Sequence, residues 1–369
     1  MADLGVRLQL LLGPTVVRPA PYDVMDALID VQIWTSDQQS DAFRMTFALG
    51  KDGSADYGLL RQGYLDPPAR VSIAVIMAGS FDVLINGIVT DHQVVPSDRP
   101  GASTLIVSGD DLSFAMTLKE HSTTFPGRSD SEIVRKIVQD HGLQPDITAT
   151  DDKPTDKQRI PTRQGTDLDC VRRLAERNGF VFFLEPTAVP GRSTAYWGPQ
   201  PRGGRRQPAL SVGLGPDANV DGAVSFDFNA AGPATPQVTI LDPRTGLTVD
   251  IPVPTDLLAA LSGRPAAALR TVIARDVAQL DALQAALRAR VTAGKSSDAV
   301  TGRGELDAVR YGSVLHPRRL VGLRGAGQGY DGDYYVREVM HHLCRGAYRQ
   351  NFVLAREGLG AVSTRLAVS

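Results

Sequence analysis

A chain of the α+β class, mainly β, is what this sequence predicts, on three observations. Runs of β-branched and aromatic residues cut by Gly and Pro fill both ends of the chain. Between them the apolar spacing changes to a helical period with capped starts and glycine stops. Near the C-terminus, two aromatic and β-branched runs, within Gly329 to His342 and Tyr348 to Arg356, flank a turn at Arg345-Gly346-Ala347 and read as a β-hairpin. Its alternation of Tyr334 and Val336 with Val339 and His341 breaks once, which places a bulge between Arg337 and Val339.

The first 112 residues read as strands. Ala42 to Leu49 alternates loosely, Arg70 to Met77 and Val83 to Val95 are β-branched runs split at Gly79-Ser80, and Ser103 to Ser108 is another. Short strands with Gly and Pro turns predict a small barrel or sandwich. Asp23 to Asp30 holds a short helical turn. Residues 113 to 205 form an inserted α/β unit. Ser129 with Glu132 fits a capping box for a helix whose apolar face is Ile133, Val134, Ile137 and Val138 and whose stop is Gly142. Thr150 to Arg159 is polar and unpatterned. Thr166-Asp167-Leu168-Asp169 caps a second helix running to Asn178, with Leu168, Val171, Leu174 and Ala175 on one side, and Gly179 ends it before the strand Phe180 to Leu184.

Thr187 to Pro208, rich in Pro, Gly and Arg, reads as a boundary. Strands resume at Ala223 to Phe228 and Gln237 to Leu241. A long helix is expected from Pro265 to Val291, an insertion of about 264–293, on the stripe Leu269, Ile273, Val277, Leu280, Leu283, Leu287 and Val291. Strands return from Ala299, completing a second β region over 206–358, and the tail 359–369 has no pattern and is expected to fray. No tandem sequence repeat is visible.

Composition narrows the function classes. A length of 369 residues suits two or three domains, and 42% apolar residues suffice for packed cores. A net charge of −2 argues against a sequence-blind grip on nucleic acid, which needs a basic excess. Two cysteines, Cys170 and Cys344, exclude a disulfide framework and fit folding in a reducing compartment. The apolar run Leu8 to Leu12 is too short for a membrane span or a signal core, and Pro14 follows without a small-residue cleavage site; a soluble chain with no cleaved signal and no membrane insertion of its own is expected.

No catalytic, cofactor-binding or metal residue is assigned, and no cofactor is expected. Gly325-Ala326-Gly327-Gln328-Gly329 precedes a strand rather than a helix, so a turn is the better reading than a dinucleotide loop. Gly294-Lys295-Ser296 would place the first P-loop glycine at Ala289, inside a helix, and reads as a helix end. On a strand His342 and Cys344 share a face while His341 points away, and no second cluster completes four ligands, so packing is the default for all three. Asp331-Gly332-Asp333 is too short for a calcium loop and sits where a turn is needed. Asp110-Asp111 and Asp151-Asp152 read as cap and loop residues. The six histidines have no carboxylate partner in view, and Arg202, Arg205 and Arg206 read as a solvated linker.

The closing hairpin resembles that of the hub proteins of phage tails and contractile injection systems, the late control protein D family, similar to the front half of VgrG. The matching residues are Gly332, Tyr335, Val336, Val339, His341 or His342, Gly346, Tyr348, Phe352 and Arg356. Three more segments resemble the family: Gly87-Ile88-Val89 with Leu105 to Leu112; Phe125 to Val134; and Gln164 to Phe180, where Cys170 or Val171 replaces the usual aromatic. The resemblance implies two small tube-type β-barrels, over 1–112 and 206–358, with the 113–205 unit inserted and the long helix in the second. It implies a homotrimeric, non-enzymatic baseplate hub that adapts a hexameric inner tube protein to a trimeric spike and meets other baseplate proteins. Such a hub assembles in the bacterial cytoplasm and ends in the particle. The chain stops about a dozen residues after the hairpin, so the spike is expected to be a separate protein. The alternatives, a receptor- or glycan-binding tail-tip protein and a tail-associated peptidoglycan hydrolase, call for an exposed aromatic cluster or a partnered catalytic site; aromatics are 6%, with Trp34 and Trp197 isolated.

Overall fold

The computed structural model describes residues 5–51, 56–99, 101–150, 161–204, 206–241, 248–251, 260–273 and 298–362. The first β region holds β1 (Arg7–Gly13), β2 (Arg18–Pro19), α1 (Tyr22–Ala27), β3 (Leu28–Ser36), β4 (Ala42–Ala48), α2 (Gly58–Arg61), β5 (Arg70–Met77), β6 (Ser80–Val95) and β7 (Thr104–Asp111). The middle of the chain holds β8 (Glu120–Thr124), α3 (Asp130–Asp140), β9 (Gln144–Ile147), β10 (Thr162–Thr166), α4 (Asp167–Asn178), β11 (Val181–Pro186) and β12 (Ser193–Gly198). Then come β13 (Arg206–Ser211), β14 (Val220–Phe228), β15 (Ala234–Leu241), β16 (Thr248–Ile251), β17 (Ser262–Pro265), β18 (Arg270–Ile273), β19 (Val300–Asp307), α5 (Ala308–Tyr311), β20 (Leu320–Arg324), β21 (Gly332–Cys344), β22 (Ala347–Arg356) and β23 (Gly358–Ala361). This is an α+β chain, mainly β.

One sheet runs through both ends of the chain, in the order β14-β19-β22-β21-β3-β4-β7-β6-β5-β1-β2, with β20 and β13 branching from β21. Within it the same topology occurs twice. In one copy β3 pairs β4, β4 pairs β7, β7 pairs β6, and the first half of β6 turns to β5. In the other, β14 pairs β19, β19 pairs β22, β22 pairs β21, and the first half of β21 turns to β20. A short helix sits between the second and third strands each time, α2 and α5. Each long strand carries a bulge at the same place, between Val89 and Asp91 in β6 and between Val336 and Glu338 in β21. The sequence places a bulge between Arg337 and Val339; it is present one residue earlier, between Val336 and Glu338, with Arg337 as the extra residue. It lets one strand leave one partner and take another without breaking its ladder.

The copies differ after the bulge. The second half of β21, Glu338–Cys344, pairs with β3 and so welds the copies together. Thr90–Val95 of β6 has β7 on one side and, among the described residues, no strand on the other.

Alternation sets which residues face inward. Phe43, Met45 and Phe47 of β4 and Val31 and Ile33 of β3 are buried in a core that continues through Val336, Val339, Phe352 and Leu354. Gly87 and Gly109 lie against the Phe43 ring. A Cβ on Gly109 would come within 2.5 Å of Phe43 Cζ and 2.1 Å of the Ile88 carbonyl oxygen, so no larger residue fits. The middle unit has its own core, Ile133, Val134, Ile137 and Val138 of α3 against Leu168, Val171 and Leu174 of α4 and Trp197 of β12. Its helices start and stop where the sequence signals them. Ser129 and Glu132 form the full capping box, Thr166 caps α4, and Gly179 ends it in the left-handed region at φ 73°.

Four expectations need correction. The long helix does not begin at Pro265: Ser262–Pro265 is a strand paired with β23, and Arg270–Ile273 is a strand paired in parallel with β15. Leu269 and Ile273, read as part of a buried stripe, are 74% and 68% exposed. β-branched residues at 271–273 favour the extended state, and pairing with β15 satisfies the backbone that a helix would have satisfied internally. The rest of the stripe, from Val277 to Val291, lies outside the described residues, as do Gly294-Lys295-Ser296, Asp151-Asp152 and Arg205. The tail is paired through Ala361, because β23 lies antiparallel to β17. Thr187 to Pro208 is not a plain loop but contains β12 and the start of β13. Trp197 is fully buried, donates its indole N–H to the Val171 carbonyl (3.3 Å) and meets Phe180 edge-on at 4.7 Å.

Gly109→Ala should destabilise the protein by roughly 1–3 kcal/mol, since the added methyl must displace backbone or the Phe43 ring. Gly50→Ala, whose Cβ would meet nothing within 4 Å, should stay within about 0.5 kcal/mol of the parent. Urea unfolding midpoints at unchanged slope measure both.

Candidate functional site

The joint where β21 meets β3 holds a cluster of buried charges, and Arg318 is its centre. This residue, just before β20, is buried and takes a left-handed backbone at φ 65°, uncommon for a residue with a Cβ. Its N–H donates to the Val336 carbonyl at 2.7 Å, and Val336 N–H returns a bond to the Arg319 carbonyl at 2.9 Å. Its guanidinium then reaches across the joint. Nη2 donates to the Ser36 carbonyl (2.6 Å) and to Asp41 Oδ1 (2.5 Å), Nη1 donates to the Leu184 carbonyl (3.2 Å), and the group lies 4.2 Å over the Phe183 ring. One side chain thus bonds the β3–β4 turn, the inserted unit and the second copy of the topology.

Asp41 is held from several sides. Its carboxylate accepts from Ser36 N–H (3.1 Å), its own N–H donates to Asp111 Oδ2 (3.1 Å), and Asp111 N–H donates to its carbonyl (2.8 Å). Asp111 is the cap read from the sequence, accepting from Ser113 N–H at 2.8 Å. It also brings a second buried carboxylate beside Asp41, which sequence separation hid. Burial lifts the Asp41 carboxyl to about 7 against the pull of Arg318, and it lifts Asp111 as well.

A second buried cluster sits at the β21 bulge. Asp298 accepts from Arg202 (2.6 Å) and from Arg337 (2.8 Å), and the Arg202 guanidinium lies 5.6 Å from the Tyr335 ring. Gln200 donates to Asp37 Oδ2 (2.6 Å) and to none of this would a solvated linker correspond; Arg202 is buried, and its reading as linker is corrected. Its neighbour Arg206 does reach solvent, paired with Asp333 at 2.7 Å. Glu357 closes the cluster by accepting from the backbone of Leu261 and Ser262 (2.5 and 2.7 Å).

The residues weighed for chemistry are spread by the fold. His341 faces the core, with Nδ1 2.8 Å from Tyr348 Oη and 3.2 Å from Gln350 Nε2, while Cys344 is exposed. Beside His341 a cavity of about 160 Å³ is lined by Thr35, Asp82, Glu185, His316, Arg318 and others. Burial lowers both His316 and His341 to about 3. The histidines do have carboxylate neighbours: His141 Nε2 lies 2.9 Å and His121 Nε2 3.7 Å from Asp167, and His316 lies 3.8 Å from Asp82. These partners come from distant elements, so linear spacing could not reveal them. Among the described residues no group of three or more His, Cys, Asp or Glu is arranged to hold a metal ion. Gly325 to Gly329 is the turn between antiparallel β20 and β21, and Arg356, stacked 4.3 Å over Tyr334, donates to the carbonyls of Gly329 and Asp331. No helix among the described residues is long and apolar enough to cross a membrane.

The fold has close counterparts. A prophage tail protein from Shewanella oneidensis superimposes with a TM-score of 0.63 at 16% identity, over 95% of this chain and 99% of its own. A tail protein from Neisseria meningitidis gives 0.61 at 15%, over 96% and 98%. The VgrG complex with PdpA from Francisella gives 0.58 at 10%, over 100% of this chain and 55% of that one. The family model described as the Alg8 N-terminal domain matches residues 24–192. No curated protein matches the chain by sequence. The fold is that of phage tail and VgrG-type proteins, as the hairpin resemblance implied.

Arg318→Met should cost about 3–5 kcal/mol by leaving Asp41 buried without its partner, so that it must either stay charged there or take up a proton. The double variant Arg318→Met/Asp41→Leu should recover much of that loss, as chemical unfolding would report. For His341, the folded value lies below that of the unfolded chain, so the unfolded state takes up protons first on acidification. Its contribution is full above about pH 6.5 and is lost as pH falls toward 3. Asp41 has the opposite sign, its folded value being raised. His341→Gln should therefore flatten the acid loss of stability between about pH 6 and pH 4, measured by unfolding at a series of pH values.

Proposed function

We propose that this chain is a structural baseplate hub of a phage tail-like contractile injection system. It acts as a homotrimer that adapts a hexameric inner tube to a separate trimeric spike. The observation that carries this reading is the doubled strand topology within one sheet. Three chains bring six such units to one ring, so a trimer can offer six near-equivalent faces to a hexamer and three to a spike. The full-length likeness in fold to tail proteins supports the assignment.

On this reading residues 1–112 and 206–358 are two tube-type β-barrels and 113–205 is the inserted domain, with other baseplate proteins around them. The role is structural and not catalytic. The side chains best suited to chemistry are engaged in structure: Asp41 with Arg318 across the joint, and His341 with Tyr348 within the closing hairpin. The hub assembles in the bacterial cytoplasm and is carried in the finished particle.

Light scattering coupled to size exclusion should give about 118 kDa at high protein concentration, three times the 39.5 kDa chain. Deleting the gene should leave particles that lack a spike or fail to nucleate tube and sheath. Micrographs of normal, spike-bearing, contracting particles from the deletion strain would sink the assignment.

A further inference from the structure

Three units meet around the cavity beside His341. The start of β6 brings Asp82 to it, the end of β11 brings Glu185, and the turn before β20 brings His316 and Arg319. Its volume is about 160 Å³. At roughly 30 Å³ per water in the liquid, that is room for about five waters or one small organic ring.

The neighbours of His341 fix where its proton sits. Gln350 Oε1 accepts from Leu315 N–H (3.0 Å) and Gln350 Nε2 donates to the Leu315 carbonyl (2.8 Å), which sets the orientation of the amide. The second N–H of that amide then serves His341 Nδ1, 3.2 Å away. Burial keeps the Tyr348 phenol protonated, and its oxygen lies 2.8 Å from the same nitrogen. Nδ1 is thus an acceptor, and this network assigns the ring proton to Nε2. Neither Tyr348 nor Gln350 lines the cavity, whereas His341 does, and Nε2 has no hydrogen bond among the described residues. A donor on a side chain only 1% exposed is therefore left to the cavity.

Asp82 supplies an acceptor. Its Oδ2 accepts from Ser80 (3.1 Å), while Oδ1 lies 3.8 Å from His316 Nε2, beyond hydrogen-bond reach. Burial keeps both imidazoles neutral, Arg318 is paired with Asp41, and Arg319 is paired with Glu185. With Asp41 ionised, Asp82 gives the wall one net negative charge, which works against phosphate, sulfate or a carboxylate. A cation would meet the His341 N–H head on. A hydroxyl both accepts and donates, so it suits a wall that offers a donor and a carboxylate together. Phe81, Pro186 and Pro317 complete the lining with apolar surface.

We propose that this cavity binds a neutral, hydroxyl-bearing ligand of monosaccharide size or smaller, one hydroxyl accepting from His341 Nε2–H and another donating to Asp82 Oδ1. This is a binding function beyond the hub reading, and it does not depend on how many chains assemble. The ligand touches all three units at once, so its binding raises their common stability by mass action.

The test uses the full-length protein with glucose and N-acetylglucosamine as probes, and inorganic phosphate and methylammonium as charged controls, each at about 10 mM to reach weak affinities. Saturation-transfer NMR reads the sugars, and thermal unfolding against sodium chloride of equal ionic strength reads all four. At least one sugar is expected to show transfer and raise the Tm, and neither control to shift it. Asp82→Ala, at a partly exposed position, should weaken that binding about tenfold or more, the cost of one hydrogen bond to a charged group. Ala188→Phe, an exposed lining position outside the Arg318 network, should block entry and abolish binding. No transfer from either sugar overturns the proposal. Transfer that either variant leaves unchanged also overturns it, since the sugar then sits elsewhere. A Tm rise with phosphate or methylammonium in place of the sugars overturns the ligand class.

Discussion

The structure depends on one buried ion pair with three clients. Arg318 holds Asp41 and the Ser36 carbonyl of the first copy, the Leu184 carbonyl and Phe183 ring of the inserted unit, and through its own backbone the strand β21. A guanidinium suits this task because its donors fan out in a plane and its face stacks on an aromatic ring, so one group can satisfy acceptors from several directions. A buried pair of this kind contributes little net attraction once desolvation is counted. What it fixes is arrangement: any slip of one segment leaves a charge unpaired in the interior. The left-handed backbone at Arg318 is tolerated because both bonds to Val336 and the side-chain contacts determine it from either end.

The two clusters at the joint, around Arg318 and around Asp298, share the β21 bulge between them. Arg337 is the bulged residue, and its side chain goes to Asp298 while its carbonyl accepts from Asp37 N–H. The bulge therefore does two things at once. It hands the strand from β20 to β3, and it points a cation into a pocket of carboxylates. The same device in β6 hands the strand from β5 to an open edge. A strand with two partners in succession is how one sheet can turn a corner without exposing a broken ladder.

Local signals were the legible ones. Ser129 with Glu132, Thr166 and Gly179 each act within a few residues and appear where the sequence places them, and the hairpin bulge lies one residue from its expected place. The alternation of the closing strand, Tyr334 and Val336 before the break and Val339 and His341 after it, was also readable, and all four side chains are buried. The stripe at Leu269 and Ile273 misled because three-and-four spacing of apolar residues does not exclude short exposed strands when the flanking backbone finds partners. The candidate site was nearly invisible. Arg318, Asp41, Asp111, Arg202 and Asp298 carry ordinary surface residue types, and only the pairing of β21 with β3 brings them together. The doubling was legible only through the family resemblance and not as a repeat in the sequence, since Phe43 over Gly109 in one copy corresponds to Gly302 and Leu354 in the other. Side-chain volume has been redistributed while strand order has not.

The β21–β3 joint also sets an order of events during synthesis. β3 emerges among the first strands, yet the partner for its outer edge lies some three hundred residues later, in Gly332–Cys344. Until that segment leaves the ribosome, β3 presents an open edge with Trp34 beside it and Asp41 without its arginine. Long-range pairing of this kind is slow to form and exposes edges meanwhile. The last hairpin is thus the closing stitch of the chain, and a polypeptide cut short before it would carry an unprotected sheet edge in place of a finished subunit.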